Sequence, residues 1–413
     1  MKKIFSFIVW IVAFVIGVGG GAFLTINFDA PTTEELISSD DLFYSYDEHE
    51  LKKVELSGEN GELSVHFLEL GNKYTGDCTY IKVGDIDVLI DCGSRTNSIP
   101  VVSEYINQYI TGELDFVIVT HAHRDHYAGF ATGANTQGIF DLYDVGTIID
   151  FGKATEQADS ATYKRYEAKR QAEIDAGAKY FSAYECFYEL ETEFGKATKE
   201  FILDEENDVK LEILYNYYYQ YNYTNPNSEF EASTENDYSV CCMLSQGENK
   251  TFLFTGDLEK DGEAKLVEYY ENDPLPKMSV YKAGHHGSGT SSSPDLLAMI
   301  QPEIVCVCCC AGSPEYTSNV KNQFPTQEFI TNISKYTDKV YVTTMCVDWE
   351  KDEYTSMNGN IVIIALPESE DLGIKCSNNY TILKETEWFN KTIIDENGNK
   401  KPNRIWNYSI NFG

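Results

Sequence analysis

Histidine is scarce in this chain, with seven among 413 residues. Five of the seven fall in two short motifs, His121-Ala122-His123-Arg124-Asp125-His126 and His285-His286, which a random scatter would not produce. Positive charge is also short: 32 Lys and Arg against 66 Asp and Glu leave a net charge of -34. A field of that sign repels nucleic acid and anionic membranes. It disfavours DNA as a substrate, although bound metal ions and a local patch can invert the field at a site. No serine nucleophile elbow and no phosphate-cradling glycine-rich loop is present, so neither a serine hydrolase nor a P-loop nucleotide site competes for the reading.

Three imidazoles and a carboxylate within six residues make a metal site by chemistry alone. Neutral imidazole and carboxylate suit zinc and similar divalent ions, and residues two apart on an extended segment point the same way. His121 and His123 can therefore share one ion, leaving Asp125 and His126 to face a second. The motif follows an apolar, strand-like run, Phe116 to Thr120.

Lys2 and Lys3 precede 25 residues without a charge, Ile4 to Phe28, longer than the ~20 a helix needs to span a bilayer. The segment reads as a transmembrane anchor or a signal sequence. Basic residues before it and Asp29, Glu34 and Glu35 after it place the remainder outside the cytoplasm. The run Gly19-Gly20-Gly21-Ala22 leaves cleavage, and hence secretion, as the alternative. Eleven cysteines on an exported chain suggest disulfides, but Cys241-Cys242 and Cys306 to Cys310 lie in apolar, strand-like runs. There neighbouring side chains point to opposite faces, so buried, unpaired cysteines are expected.

The segment Thr120 to Gly129 resembles the metal-binding signature of the metallo-β-lactamase superfamily. Val88 to Gly93, Phe252 to Asp257, Ala283 to Ser288 and a late strand at Gly359 to Ala365 follow in that superfamily's order. Within it the chain is similar to the hydrolase domain of ComEC-type DNA-uptake proteins and their stand-alone relatives, through Gly76-Asp77-Cys78, Thr255 to Glu259 and His285 to Ser291. The resemblance implies an α/β, four-layer αββα sandwich with two divalent metal ions, zinc or manganese. It assigns His121 and His123 to the first ion, Asp125 and His126 to the second, and Asp257 to a bridge between them. His285 or His286 closes the second ion's shell, and Asp91 orients ligands from behind. Asp125 and His286 are the expected catalytic residues, with an ionised metal-bound water as nucleophile.

Two departures stand out. No histidine lies between His126 and His285 to complete the first ion's shell, where Asn236 or Asp237 occupies the corresponding stretch. Phe324-Pro325 stands where ComEC-type domains often carry His-Pro.

The expected organisation is an anchor or signal at 1–28, an acidic linker at 29–60, a hydrolase domain at 61–366 and a C-terminal extension at 367–413. The expected function is a membrane-anchored, extracytoplasmic hydrolase of a small-molecule or polymer phosphoester or phosphodiester. A competence-type DNA nuclease and a non-catalytic surface binding module are the alternatives. Ser288, Thr290 and Ser291 suit either phosphate contacts or a turn that leads into the next helix. The tyrosines between Tyr217 and Tyr223 suit either a cleft wall or a packed surface hairpin. Oligomeric state is not legible.

Overall fold

The computed structural model describes residues 51–407 apart from 59, 94, 96, 132, 134, 135, 225–229 and 395–397. The expected transmembrane segment and most of the linker lie outside the described residues. Among the described residues no helix is long and apolar enough to cross a membrane.

Two sheets carry the structure. The first has nine strands in the order Lys52–Lys53, Gly373–Cys376, Ile361–Ala365, Leu63–Phe67, Thr79–Val83, Ile86–Ile90, Leu114–Val119, Val145–Asp150 and Lys179–Ser182. The second has eight: Glu200–Asp204, Val209–Ile213, Cys242–Gln246, Lys250–Phe254, Val280–Lys282, Ile304–Ala311, Val340–Asp348 and Glu353–Ser356.

Alternation along the strands explains the layers, because successive side chains leave opposite faces. In Leu63–Phe67, Leu63, Val65 and Phe67 enter the core shared with the second sheet, and Phe67 meets Phe254 with ring centroids 6.3 Å apart. His66 instead meets Tyr105 of the helix Ser98–Ile106, its Nδ1 2.8 Å from the phenol oxygen. In Ile304–Ala311, Ile304, Cys306 and Cys308 join the same core. Val305, Val307, Cys309 and Ala311 pack with Leu297 and Ile330 from the helices Pro294–Ile300 and Gln327–Ile333. Each fully buried aliphatic side chain contributes about 1.5–3 kcal/mol, so a strand buried on both faces holds sheet and helix layers together. The outcome is the four-layer αββα arrangement. All eleven cysteines are unpaired and ten are buried, as their apolar settings implied.

Ser293 accepts from the Leu296 amide at the start of Pro294–Ile300, the expected cap followed by a first-turn proline. The sheet does not stop at 366. Gly373–Cys376 pairs antiparallel with Ile361–Ala365 and parallel with Lys52–Lys53, while Leu383, Trp388, Phe389 and Trp406 join the core beneath the second sheet's helices. Enough apolar surface lies beyond 366 to build those residues into the domain. Tyr219–Thr224 is a short helix where an irregular stretch or hairpin was expected. Tyr219 is buried with its oxygen accepting from the Cys241 amide at 2.9 Å, and Tyr221 stacks on Tyr238.

Candidate metal centre

The functional motifs sit where strands end. Ile86–Ile90 and Leu114–Val119 are parallel, as are Lys250–Phe254, Val280–Lys282 and Ile304–Ala311, so Asp91, His121, Asp257 and His285-His286 emerge from carboxyl ends of strands. Asp77 precedes Thr79–Val83, which runs antiparallel to Ile86–Ile90 and so starts at that same edge.

Backbone contacts lock the first-sheet loops together. The Asp77 amide donates to Asp125 O at 3.1 Å, and the Cys92 amide to His126 O at 2.7 Å. Gly93 is required at this crossing, because a Cβ there would stand 1.7 Å from Asp125 O. His285 and His286 have φ of 45° and 55°, two consecutive non-glycine residues in the left-handed region. That is a strained turn of the kind found at functional sites.

One atom organises the centre. Asp257 Oδ2 lies 3.1 Å from His126 Nε2, 3.3 Å from His286 Nε2, 3.8 Å from His285 Nε2 and 4.0 Å from His121 Nε2. On one side His121 Nε2 is 3.1 Å from His123 Nδ1, which is 2.7 Å from Asn236 Oδ1. On the other, His286 Nε2 is 3.3 Å from His126 Nε2 and 3.5 Å from Asp125 Oδ2. Asp77, His126, Asp257 and His286 place donor atoms within 4.8 Å of one another. The structure thus brings together every residue expected to bind metal. It also separates the histidine pair: His286 turns inward and is buried, whereas His285 Nδ1 is held at the rim, 3.0 Å from Thr290 Oγ1 and 3.3 Å from Glu259 Oε1.

A second layer fixes the imidazoles. Asp91 Oδ2 is 2.7 Å from His126 Nδ1, and its carboxylate accepts from the Thr120 amide and hydroxyl at 2.8 and 2.7 Å. Asp91 therefore holds His126 with Nε2 facing inward, the orienting role expected of it. His286 is held by the Cys308 carbonyl, 3.0 Å from its Nδ1; Asp77 Oδ1 stands 3.3 Å from the same nitrogen, its carboxylate gripped by the buried Lys282 ammonium. Sequence reasoning gave neither Asp77 nor Lys282 a role, although a lysine ending the apolar run Met278 to Tyr281 was a usable signal. Tyr316, which donates to Asp125 Oδ2 at 2.6 Å, and Glu259, which accepts from Asn236 Nδ2 at 3.0 Å, were missed as well.

The electrostatics suit divalent ions. Burial opposes ionisation of Asp257, yet His126, His286 and His285 outweigh it and hold the carboxyl well below its ordinary range. Burial likewise disfavours charge on His126, but Asp257 and Asp91 overcome it and push the imidazole up to about 10. His121, buried and facing His126, is driven well below the usual range and stays neutral. Asp257 Oδ1 is buried with no hydrogen-bond partner, a costly state for a carboxylate oxygen unless a cation satisfies it. Three buried carboxylates (Asp77, Asp91 and Asp257) and the half-buried Asp125 meet one ammonium, Lys282, leaving three negative charges once the imidazoles are neutral, as metal ligation requires. The donor set fits two divalent ions.

Residues 71–139 match the model of the Metallo-beta-lactamase superfamily. ComE operon protein 3 of Bacillus subtilis (strain 168) is 33% identical over 84 residues, 20% of this chain and 10% of that protein. The match thus spans a tenth of the length of the curated relative. Among solved structures, the metallo-beta-lactamase fold protein YhfI from Bacillus subtilis aligns over 74% of this chain and 100% of its own, at 11% identity and a TM-score of 0.39. CmlA, a diiron beta-hydroxylase from Streptomyces venezuelae, aligns over 62% of this chain and 46% of its own, at 10% identity and a TM-score of 0.34. Residues 71–139, which hold His121, His123, Asp125 and His126, thus match the metallo-β-lactamase superfamily.

Proposed function

We propose that this protein is a membrane-anchored, extracytoplasmic, metal-dependent hydrolase of phosphoesters or phosphodiesters. The observation that carries the reading is the convergence of His121, His126, His285 and His286 on Asp257 Oδ2, with Asp125 beside His286. His121, His123 and the Asn236 oxygen would hold one ion, and Asp125, His126 and His286 the other, with Asp257 shared. Zinc or manganese in these positions would lower the pKa of a coordinated water and polarise the scissile oxygen. Asp91 and the Cys308 carbonyl keep His126 and His286 aimed, and Lys282 steadies Asp77 beside His286. Two divalent ions against three net negative charges leave the centre cationic, which favours an anionic substrate such as a phosphoester over a neutral lactam.

Anchoring is supported by Lys2, Lys3 and the uncharged segment Ile4 to Phe28. The test is elemental analysis of the purified full-length chain, followed by chelation, reconstitution with zinc or manganese, and hydrolysis of p-nitrophenyl phosphate and bis(p-nitrophenyl) phosphate. Two ions per chain and metal-dependent turnover are expected. Folded protein that takes up no metal would refute the reading and favour a binding module. DNA cleavage is the second reading, supported by the ComEC-type motifs and opposed by the net charge of -34. No cleavage of single- or double-stranded DNA at low salt would remove it.

A further inference from the structure

Tyr316 combines two properties that conflict in an ordinary surface residue. It is 56% exposed, yet its hydroxyl donates to Oδ2 of Asp125, a largely buried carboxylate assigned to the second ion, at 2.6 Å. A solvated phenol has no need to reach inward, so the backbone that carries it is what matters.

That backbone is stapled. The Gly312 amide donates to Phe324 O at 2.8 Å and closes the loop at its base. Glu315, the neighbour of Tyr316, accepts from the Thr75 amide at 2.9 Å and from Arg95 Nη2 at 2.6 Å, tying the loop to the segment that leads into Asp77. The Tyr316 ring lies 5.7 Å from Phe324, which in turn lies 5.6 Å from His285 and 5.8 Å from His286. Tyr316 is therefore held over the mouth of the second metal position, its ring against the apolar edge of the histidine turn and its hydroxyl toward Asp125.

The carboxylate oxygen that accepts this hydrogen bond is one that a loaded centre would use for coordination. We infer that Tyr316 is a catalytic residue whose hydroxyl donates a hydrogen bond to a non-bridging phosphoryl oxygen of the substrate, at the open side of the second metal position. A neutral phenol is suited to the task. It supplies a donor to developing negative charge without adding a cation to a centre that two ions would already make positive. The assignment rests on the phosphoesterase reading, and it makes Asp125 the resting partner of a group whose working partner is substrate.

The test uses the full-length chain reconstituted with manganese or zinc, wild type beside Tyr316→Phe, with metal content measured for each and inorganic phosphate as the calorimetric probe. Phe keeps the ring contact with Phe324 and removes the donor alone. Wild type is expected to bind phosphate only when metal-loaded. Tyr316→Phe should retain the same metal stoichiometry, bind phosphate about tenfold more weakly, and lose about two orders of magnitude in kcat, the low end for removing one donor to the transition state. Unchanged phosphate affinity at full metal content would overturn the assignment. So would reduced metal content with unaltered affinity per loaded site, which would make Tyr316 a positioning residue for Asp125, and so would wild type that binds no phosphate. The phosphoesterase reading fails separately, if loaded wild type hydrolyses neither nitrophenyl ester.

Discussion

Replacing Lys282 by Met tests the electrostatic design of the centre without touching a residue assigned to metal. The ammonium and the Asp77 carboxylate are in contact, with only 4% and 5% of their side chains exposed. The ammonium also stands 3.8 Å from Asp257 Oδ1 and 3.4 Å from Gly256 O. Removing the ammonium leaves Asp77 with His286 and His126 at 3.3 and 3.7 Å, so the cost is on the order of 3 kcal/mol, the low end for breaking a buried pair. Met preserves most of the aliphatic volume, so a cavity adds little. Urea denaturation of metal-stripped protein at pH 7, followed by circular dichroism, should show Lys282→Met less stable by that amount. Asp77→Asn should cost a comparable amount, and the double variant should cost less than the sum, because it removes both charges. A loss below about 1 kcal/mol in Lys282→Met, or additive effects in the double variant, would show that the pair is solvated and screened. The account of Asp77 as a charge that Lys282 holds beside His286 would then fail with it.

Asp257→Ala removes the oxygen on which the histidines converge. Metal content should fall, and hydrolysis of bis(p-nitrophenyl) phosphate should drop by at least about a hundredfold with the circular dichroism spectrum unchanged; retained turnover would contradict the bridging role. His66 is fully buried, and burial, aided by Lys375, lowers its pKa from 6.5 to about 3. A depressed folded-state value means that its contribution is present above pH 6.5 and lost as pH falls toward 3. Between pH 7 and 4.5 this one group should remove about 2.5 kcal/mol, and the loss should be smaller in His66→Gln when urea midpoints are compared at both pH values. Asn236→His would supply an imidazole beside His123, where an amide oxygen now stands at 2.7 Å. Zinc affinity measured by competitive chelation should then rise relative to manganese, since nitrogen donors favour zinc and oxygen donors suit manganese.

Legibility from sequence followed the distance over which the physics acts. Strands such as Ile86–Ile90, Lys250–Phe254 and Ile304–Ala311 were readable because each is a short, largely apolar run buried along nearly its whole length, and the cap at Ser293 because Pro294 follows it directly. Lys179–Ser182 was not, since its four residues lie between two helices and only Phe181 and Ser182 are buried. Gly373–Cys376 was missed for a related reason: it owes its place to Ile361–Ala365 rather than to a pattern of its own.

The site divides along the same line. His121, His123, Asp125 and His126 could be read as ligands because one local motif holds them all, and Asp257 because it ends a buried strand. The choice between His285 and His286 could not be read, because identical side chains on adjacent residues differ only in where a left-handed turn aims them. With φ near 50° at both positions, the turn sends His286 toward Asp77 and Asp257 and leaves His285 against Glu259 and Thr290. Asp77 and Lys282 went unassigned for a different reason. Each looks unfavourable alone, a carboxylate or an ammonium beside an apolar run, and becomes tolerable only when the two sheets bring them together. A buried charge in an otherwise apolar strand is therefore a signal to look for its partner across the sheets. Here that partner also stands 3.3 Å from His286 Nδ1, so the pair couples the packing of the two sheets to the electrostatic setting of that imidazole.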